Sequence, residues 1–347
     1  MKHLKDFDIN NKRVIVRADF ENNDFKIRKI IPTIRYLIEN RAKIVLINGN
    51  ALIAKRLSQL LDQEVKFIKN IRLLNKFDVV MMEIKEDETN IKQLAESCDL
   101  FINDCFSLNH LELNSIVNFP KYIDSCAGLL LEQELNAMDS VLKEPRRPLI
   151  AILGGAKTES KIPTLIKLLD HADHVLVGGV LAPVILHSKK ISLSYVEVDP
   201  DIESMLSDLE LTNPKLHMPV DALVGLKDMR EDYLRQSGAG KIRSEEQMFD
   251  IGPETVRMFS DIIATAGTIV WVGPMGYIED ERFSNGTLSI ASAVLRSKAL
   301  KIVGGSNTSS FLAKNNLRGK FNHVSTGGTA VLKYLVDQDL PGIKALS

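Results

Sequence analysis

Two lysines four residues apart, Lys157 and Lys161, sit at the end of the glycine turn G-G-A-K (Gly154 to Lys157), which closes the apolar run L-I-A-I-L. Two more turns of this kind follow, G-G-S-N-T (Gly304 to Thr308) and S-T-G-G-T (Ser325 to Thr329), and Gly178-Gly179 closes another apolar run. Glycine at the carboxyl end of a strand lets the backbone turn sharply and lets an anion approach its amides. A helix that follows adds unpaired N–H groups and the positive end of its dipole, so such turns hold phosphate. Lysine beside a helix N-terminus is unfavourable unless an anion meets it. One such turn reads equally well as a tight strand–helix connection; several in one half of a chain point to a polyphosphate ligand. The first half has nothing comparable.

Apolar runs alternate with helix-periodic segments from end to end, and these elements must position the turns. Arg13 to Arg17, Lys43 to Ile47, Asp78 to Met82 and Leu100 to Asn103 read as buried strands, with helical spacing over Pro32 to Asn40 and Ala51 to Leu61. The second half repeats the scheme with strands at Leu149 to Leu153, His174 to Val177, Thr268 to Val272, Leu300 to Val303 and Asn322 to Val324. Alternating βα units predict an α/β chain of parallel sheets with helices on both faces. The joint falls between Ala127 and Pro148, where Gly128 to Lys143 has helical spacing and P-R-R-P ends it. The expected division is a first domain at 1–126, a connecting helix and linker at 127–148 and a second domain at 149–335, with the tail 336–347 returning to the first.

The 347 residues suit two domains, and 45% apolar with 26% charged residues is ordinary for a globular protein. A net charge of −1 gives no overall field for nucleic acid or an anionic membrane. Cys98, Cys105 and Cys126 form no C-x-x-C pair and read as buried free thiols in a reducing compartment. With a polar start and no apolar run long enough to span a bilayer, the expectation is a cytoplasmic monomer.

The second half resembles phosphoglycerate kinase, segment after segment and in the same order. L-G-G-A-K-T-E-S-K-I (Leu153 to Ile162), F-D-I-G-P-E-T (Phe249 to Thr255), W-V-G-P-M-G-Y-I-E-D-E-R-F (Trp271 to Phe283), G-G-S-N-T and S-T-G-G-T carry the likeness. R-V-I-V-R-A-D-F, I-P-T-I-R-Y-L and F-I-N-D-C-F extend it to the first half, and D-L-P-G-I-K-A-L (Asp339 to Leu346) resembles the family's tail. The resemblance implies two Rossmann-like three-layer (αβα) domains joined by a helix across a cleft. ATP or ADP would bind the second, and a triose phosphate the first. Gly154, Ala156, Gly178, Gly179 and Pro274 would frame the adenine, and Glu279 would accept from the ribose hydroxyls. Gly305, Asn307 and Thr308 would join Lys157 and Lys161 around the phosphates. Lys161, Lys26 and the Gly327-Gly328 amides would attend the transferred group. Phosphoryl transfer asks mainly for alignment and charge neutralisation.

Several positions depart from the family pattern. The aspartate that holds magnesium in G-G-G-D-T is Asn307 here, a neutral oxygen donor that weakens Mg²⁺ binding. W-N-G-P is W-V-G-P, with Val272. On the acceptor side Asp19 and Phe20 match, but the asparagine of D-F-N is Glu21, and the arginine six residues before P-T-I is Lys26. The S-H-L-G-R-P loop has shrunk to I-N-G-N (Ile47 to Asn50). E-N-x-R-F falls where the chain reads M-E-I-K-E-D-E (Met82 to Glu88), and A-H-R-A is N-H-L-E, keeping His110 while Leu111 replaces arginine. At ~1.5–3 kcal/mol per charge-assisted bond, three lost arginines and one softened to lysine remove on the order of 5–10 kcal/mol of anion affinity.

Two readings follow. The favoured one is an ADP/ATP-binding pseudoenzyme or strongly diverged kinase with a degraded 3-phosphoglycerate site. The other is a working phosphoglycerate kinase whose acceptor site is rebuilt around Lys26, Arg28, Lys85 and His110. A kinase acting on a smaller, less charged carboxylate is a third. Outside these, His171 and His174 read as structural or surface residues, Ser237 to Lys241 as a flexible connection, and Glu83 to Glu88 as a solvated face.

Overall fold

A computed structural model of the chain describes residues 1–21, 24–192, 194, 196, 198–228 and 233–347. The chain divides into two compact units, Met1–Asn136 with Asp337–Ser347, and Ala137–Val336. The boundary falls inside the helix Leu129–Leu142, which both units share.

The first unit is built on six parallel strands, β1 (Arg13–Arg17), β2 (Lys43–Ile47), β3 (Lys66–Phe67), β4 (Val79–Met82), β5 (Leu100–Asn103) and β6 (Ser125–Ala127), in the order β3-β4-β2-β1-β5-β6. Successive side chains of a strand point to opposite faces. Val14, Val16, Ile44, Leu46 and Met81 enter one core, and Ile15, Val45, Ile47, Val80 and Met82 enter the other. Both faces are therefore covered, which is why these strands read as unbroken apolar runs. The helix expected to start at Pro32 begins eight residues earlier, as Asp24–Glu39 with Pro32 inside. Proline removes one backbone bond, but the buried stripe Ile27, Ile30, Ile34 and Leu37 runs straight through it. The C-terminal tail belongs to this unit: Gly342 N–H donates to the Asn109 carbonyl at 3.0 Å.

In the second unit β7 (Leu149–Leu153), β8 (His174–Val177), β9 (Leu216–His217), β13 (Thr268–Val272), β14 (Leu300–Gly304) and β15 (His323–Val324) form a parallel sheet in the order β15-β14-β13-β7-β8-β9. Helices Thr158–His171, Leu181–Ser188, Ser306–Lys314 and Thr329–Asp337 follow β7, β8, β14 and β15. Their N-termini are thus delivered to the same edge, the carboxyl ends of adjacent strands.

The parallel scheme omits a second, antiparallel sheet of this unit, formed by β10 (Asp221–Leu226), β11 (Arg235–Gly238) and β12 (Glu246–Ile251) in the order β11-β10-β12. The Ser237–Lys241 segment is accordingly the end of β11 and a short 3₁₀ turn, not a flexible connection. Glu246, fully buried, ties this sheet together by receiving two 2.7 Å bonds from Arg235 and one of 2.9 Å from the Arg243 amide. Removing one partner of a buried ion pair strands the other charge. Because the Arg235 side chain is 35% exposed, Arg235→Met is expected to cost about 2 kcal/mol, read as a lowered denaturation midpoint, whereas Arg257→Met, whose pair is exposed on both sides, should change it by less than ~1 kcal/mol.

Candidate active site

The carboxyl ends of β7, β8 and β13 meet backbone against backbone. Gly154 N–H donates to the Val272 carbonyl at 3.0 Å, Gly155 N–H to Pro274 at 2.7 Å, and Gly179 N–H to Met275 at 2.8 Å. Gly179 has φ +57°, and a side-chain carbon there would lie 2.2 Å from the Gly155 nitrogen. Only residues without a Cβ allow this approach. Beside it opens a cavity of about 440 Å³. Gly155, Ala156, Gly179, Val180 and Pro274 line one side, and Gln247, Met248 and Phe249 of β12 another, with Tyr277, Glu279, Asn307 and Lys227 also on its surface. A cavity of this size, largely apolar with a few polar groups, suits a planar base and its sugar.

Lys161, on the first turns of the helix after the G-G-A-K loop, is 6% exposed. A side-chain carbon placed on Gly155 would come within 2.9 Å of its Nζ. Burial first, and then Lys157, pull its ammonium down to about 8, with Glu159 opposing. Lys157 itself is exposed at the helix N-cap. Two cations close together at a positive helix end lower the energy of a phosphate and are raised by its absence. Gly305 has φ +95°, and its amide approaches the Gly327 carbonyl at 3.4 Å, so the β14 and β15 turns lie side by side. Thr308 is fully buried and its hydroxyl accepts from the Gly273 amide at 3.0 Å, which anchors the Val272–Pro274 turn to the helix Ser306–Lys314.

In the first unit, Lys26 Nζ sits between Asp19 Oδ2 and Glu21 Oε2, 2.5 Å from each. Burial alone would lower this ammonium, but the two carboxylates outweigh it and hold it above the ordinary lysine range. The Ser107 hydroxyl also donates to Asp19. Arg28, two positions on and so roughly 200° around the helix from Lys26, is bound at 2.6 Å to Asp24, which it shares with Arg56. Arg17, buried at the end of β1, donates to Ser115 Oγ at 3.0 Å and to the Ala18 carbonyl. Ser115 in turn gives its amide to Glu86 at 2.7 Å, and Asn48 Nδ2 reaches the same carboxylate at 3.1 Å. The Glu83–Glu88 run is thus more than a solvated face: Glu86 is bound into the loop ends of β2 and β4, and Asp87 caps the helix Glu88–Ala95. His110 is half-buried in the turn after Phe106–Leu108.

A family model described as phosphoglycerate kinase matches residues 4–338. The chain belongs to the phosphoglycerate kinase family. It is 35% identical to the phosphoglycerate kinase of Finegoldia magna, covering 99% of this chain and 98% of that protein. It is 34% identical to that of Desulfosudis oleivorans, covering 100% and 98%. Among solved structures, the phosphoglycerate kinase of Coxiella burnetii superposes with a TM-score of 0.84 at 31% identity, over 99% of this chain and 98% of that one. The 389 positions aligned with the Finegoldia protein exceed the 347 residues present here, so tens of positions have no counterpart in this chain.

Of the residues expected around the nucleotide from the phosphoglycerate kinase pattern, Ala156, Gly179, Pro274, Glu279 and Asn307 line the cavity. Gly154 and Gly178 lie buried behind it, where side-chain carbons would strike the Pro274 carbonyl at 2.1 Å and Met275 Sδ at 2.7 Å. Lys161 does not line it, its Nζ lying beside Gly155, which does, and Gly305, Gly327 and Gly328 form neighbouring turns. Asp19 and Lys26 are brought together; Arg28 is directed to Asp24 instead. Asn307, exposed at the cavity, is a single neutral oxygen donor, and no group of three metal-binding side chains occurs among the described residues. Lys227, Gln247, Met248, Phe249 and Tyr277 were missed. Phe249 and Tyr277 lie within runs that carry the family likeness, a signal present in the sequence; Gln247 and Met248 stand on an antiparallel sheet that left no periodic trace, and Lys227 lies in the turn after its strand β10.

Proposed function

We propose that the second unit binds ADP or ATP and that the first grips 3-phosphoglycerate only weakly, leaving canonical phosphoryl transfer feeble or absent. The base would lie between the Gly179–Val180 turn and Met248–Phe249, with Glu279 toward the ribose and the phosphates toward Lys157, Lys161 and the Gly305–Thr308 turn. In the family reaction a carboxylate oxygen attacks the γ-phosphorus of ATP while the bond to the ADP oxygen breaks, and cations must follow the charge. Lys161 and the Gly327-Gly328 amides would do so here. Mg²⁺, when bound, would neutralise the nucleotide phosphates; Asn307 fits it only as a weak neutral ligand.

The observation that carries the weak-acceptor reading is the Lys26 clamp. The cation standing where the family pattern has arginine is already neutralised by two carboxylates, and Arg28 is committed elsewhere. An incoming anion must displace Glu21 before it gains Lys26.

Full-length likeness to phosphoglycerate kinases favours a second reading, a working kinase of that name with its acceptor site rebuilt around Lys26, Arg28, Lys85 and His110. The comparisons weigh toward this reading, and the acceptor-side pairing toward the first. Thermal shift with each ligand alone separates them. Millimolar ADP should raise the midpoint by several degrees while 3-phosphoglycerate leaves it unmoved. Comparable shifts with both ligands would select the second reading, and no shift with ADP would remove both.

A further inference from the structure

We propose that Asp250 is a positioning residue for nucleotide: its carboxylate, wedged between two glycines, sets the spacing of the wall of the cavity formed by β12 and the Pro274–Tyr277 turn. The proposal rests on the reading of the cavity as a nucleotide site.

Asp250 is 2% exposed. Its Oδ2 accepts from the Gly286 amide at 2.7 Å, on the first turn of the helix Asn285–Arg296, and its Oδ1 from the Ile251 amide at 2.9 Å. A side-chain carbon on Gly276 would fall 2.2 Å from Oδ1, and one on Gly286 2.3 Å from the same atom. Both glycines thus exist in contact with this carboxylate, and Gly276 itself lines the cavity. The residue before Asp250 is Phe249, also on the cavity wall, whose carbonyl accepts from the Tyr277 amide at 2.8 Å and whose ring stacks on Phe283 at 4.6 Å. Thr287 Oγ1 completes the frame by accepting from the Met275 and Gly276 amides at 3.0 and 3.3 Å. Asp250 touches no position where a ligand would lie. It acts through Phe249, Gly276 and Tyr277.

Burial pushes this carboxyl up to about 7, against the pull of the Gly286 and Ile251 amides. Of the charged groups on the surrounding elements, Glu246 is paired with Arg235, Asp280 with Arg282, Glu281 with Lys314, Glu254 with Arg257 and Asp221 with Thr255, while Glu279 faces the cavity. None of them contributes to the shift. The folded value lies above the ordinary 3.8, so a proton is taken up in the folded state as pH falls through about 7. An oxygen bearing that proton becomes a donor and turns away its amide.

The test uses adenosine, which has no phosphate to titrate, and the full chain. Wild-type affinity is expected to fall about tenfold between pH 8 and pH 5.5, along a one-proton curve. Asp250→Asn presents N–H₂ to one of the two amides at every pH. It should bind adenosine about tenfold more weakly at pH 8 and show no step through neutrality. Hydrogen exchange supplies a readout independent of ligand: the Tyr277 and Gly286 amides should exchange about tenfold faster in Asp250→Asn than in wild type at pH 8. A flat wild-type profile with unchanged affinity in the variant overturns the proposal. If wild type binds neither ADP nor adenosine, the nucleotide reading itself is lost, and equal protection of the two amides would then overturn the positioning role as well.

Discussion

Replacing Lys161 by methionine is expected to make the free protein more stable and its nucleotide complex much weaker. Lys161 is a buried ammonium, held down to about 8 from 10.5 chiefly by burial, with no hydrogen bond or ion pair to any described residue. At pH below 8 both folded and unfolded chains carry the proton, and the folded one bears a penalty of order 3 kcal/mol. Between about pH 8 and 10.5 the unfolded chain binds more protons than the folded one, so the penalty is relieved and stability rises with pH. Methionine fills similar space without charge. After relaxation of the neighbours, a gain of about 1–2 kcal/mol, or roughly 2–6 °C in Tm, is expected at pH 7. On the proposed nucleotide reading the same change would remove a charge-assisted contact to phosphate, for an expected loss of about 10–100-fold in ADP affinity. Calorimetric melting and titration of the two proteins read both effects. A variant that melts lower and binds ADP as wild type does would show Lys161 to be a packing residue.

The second large effect is expected at Gly273, at the end of β13. Its φ of +97° is unfavourable for any residue with a side chain, and a carbon there would lie 2.0 Å from the Gly154 carbonyl oxygen. The obstacle is backbone, at the carboxyl ends of two neighbouring central strands, so no side chain can swing aside. Strain and overpacking together place Gly273→Ala at about 3–5 kcal/mol of destabilisation. Pro274, which follows it, forms part of the cavity wall, so nucleotide affinity should fall with stability. Gly319, where nothing lies within 4 Å of an added carbon, is the control: Gly319→Ala should stay within ~0.5 kcal/mol. Equal midpoints for the two alanine variants, measured by urea denaturation, would mean that the β7–β13 contact yields more readily than its geometry implies.

Much of this was legible in the sequence because a strand buried on both faces must be apolar throughout. Arg13–Arg17, Lys43–Ile47 and Leu149–Leu153 therefore stand out with their bounds intact. The antiparallel sheet was not legible. β10 has a mixed burial pattern and β11 is the polar R-Q-S-G, so neither shows continuity or alternation. The glycine turns were visible as motifs, and their reason, backbone packed on backbone at Gly154, Gly179 and Gly273, emerged only in three dimensions. On the acceptor side Glu21 and Lys26 could be read beside Asp19 from the sequence. The pairing of Lys26 with two acids and the binding of Glu86 by Ser115 depend on loop geometry that no spacing rule encodes.

The central claim is that the nucleotide half is equipped while the acceptor half is neutralised. A coupled assay with ATP, Mg²⁺ and 3-phosphoglycerate, run to high acceptor concentration, tests it most directly. The expected result is ADP binding with turnover far under the ~1–100 s⁻¹ usual for kinases and no saturation by 3-phosphoglycerate. Saturable turnover inside that range would contradict the claim and make this chain an ordinary working member of its family.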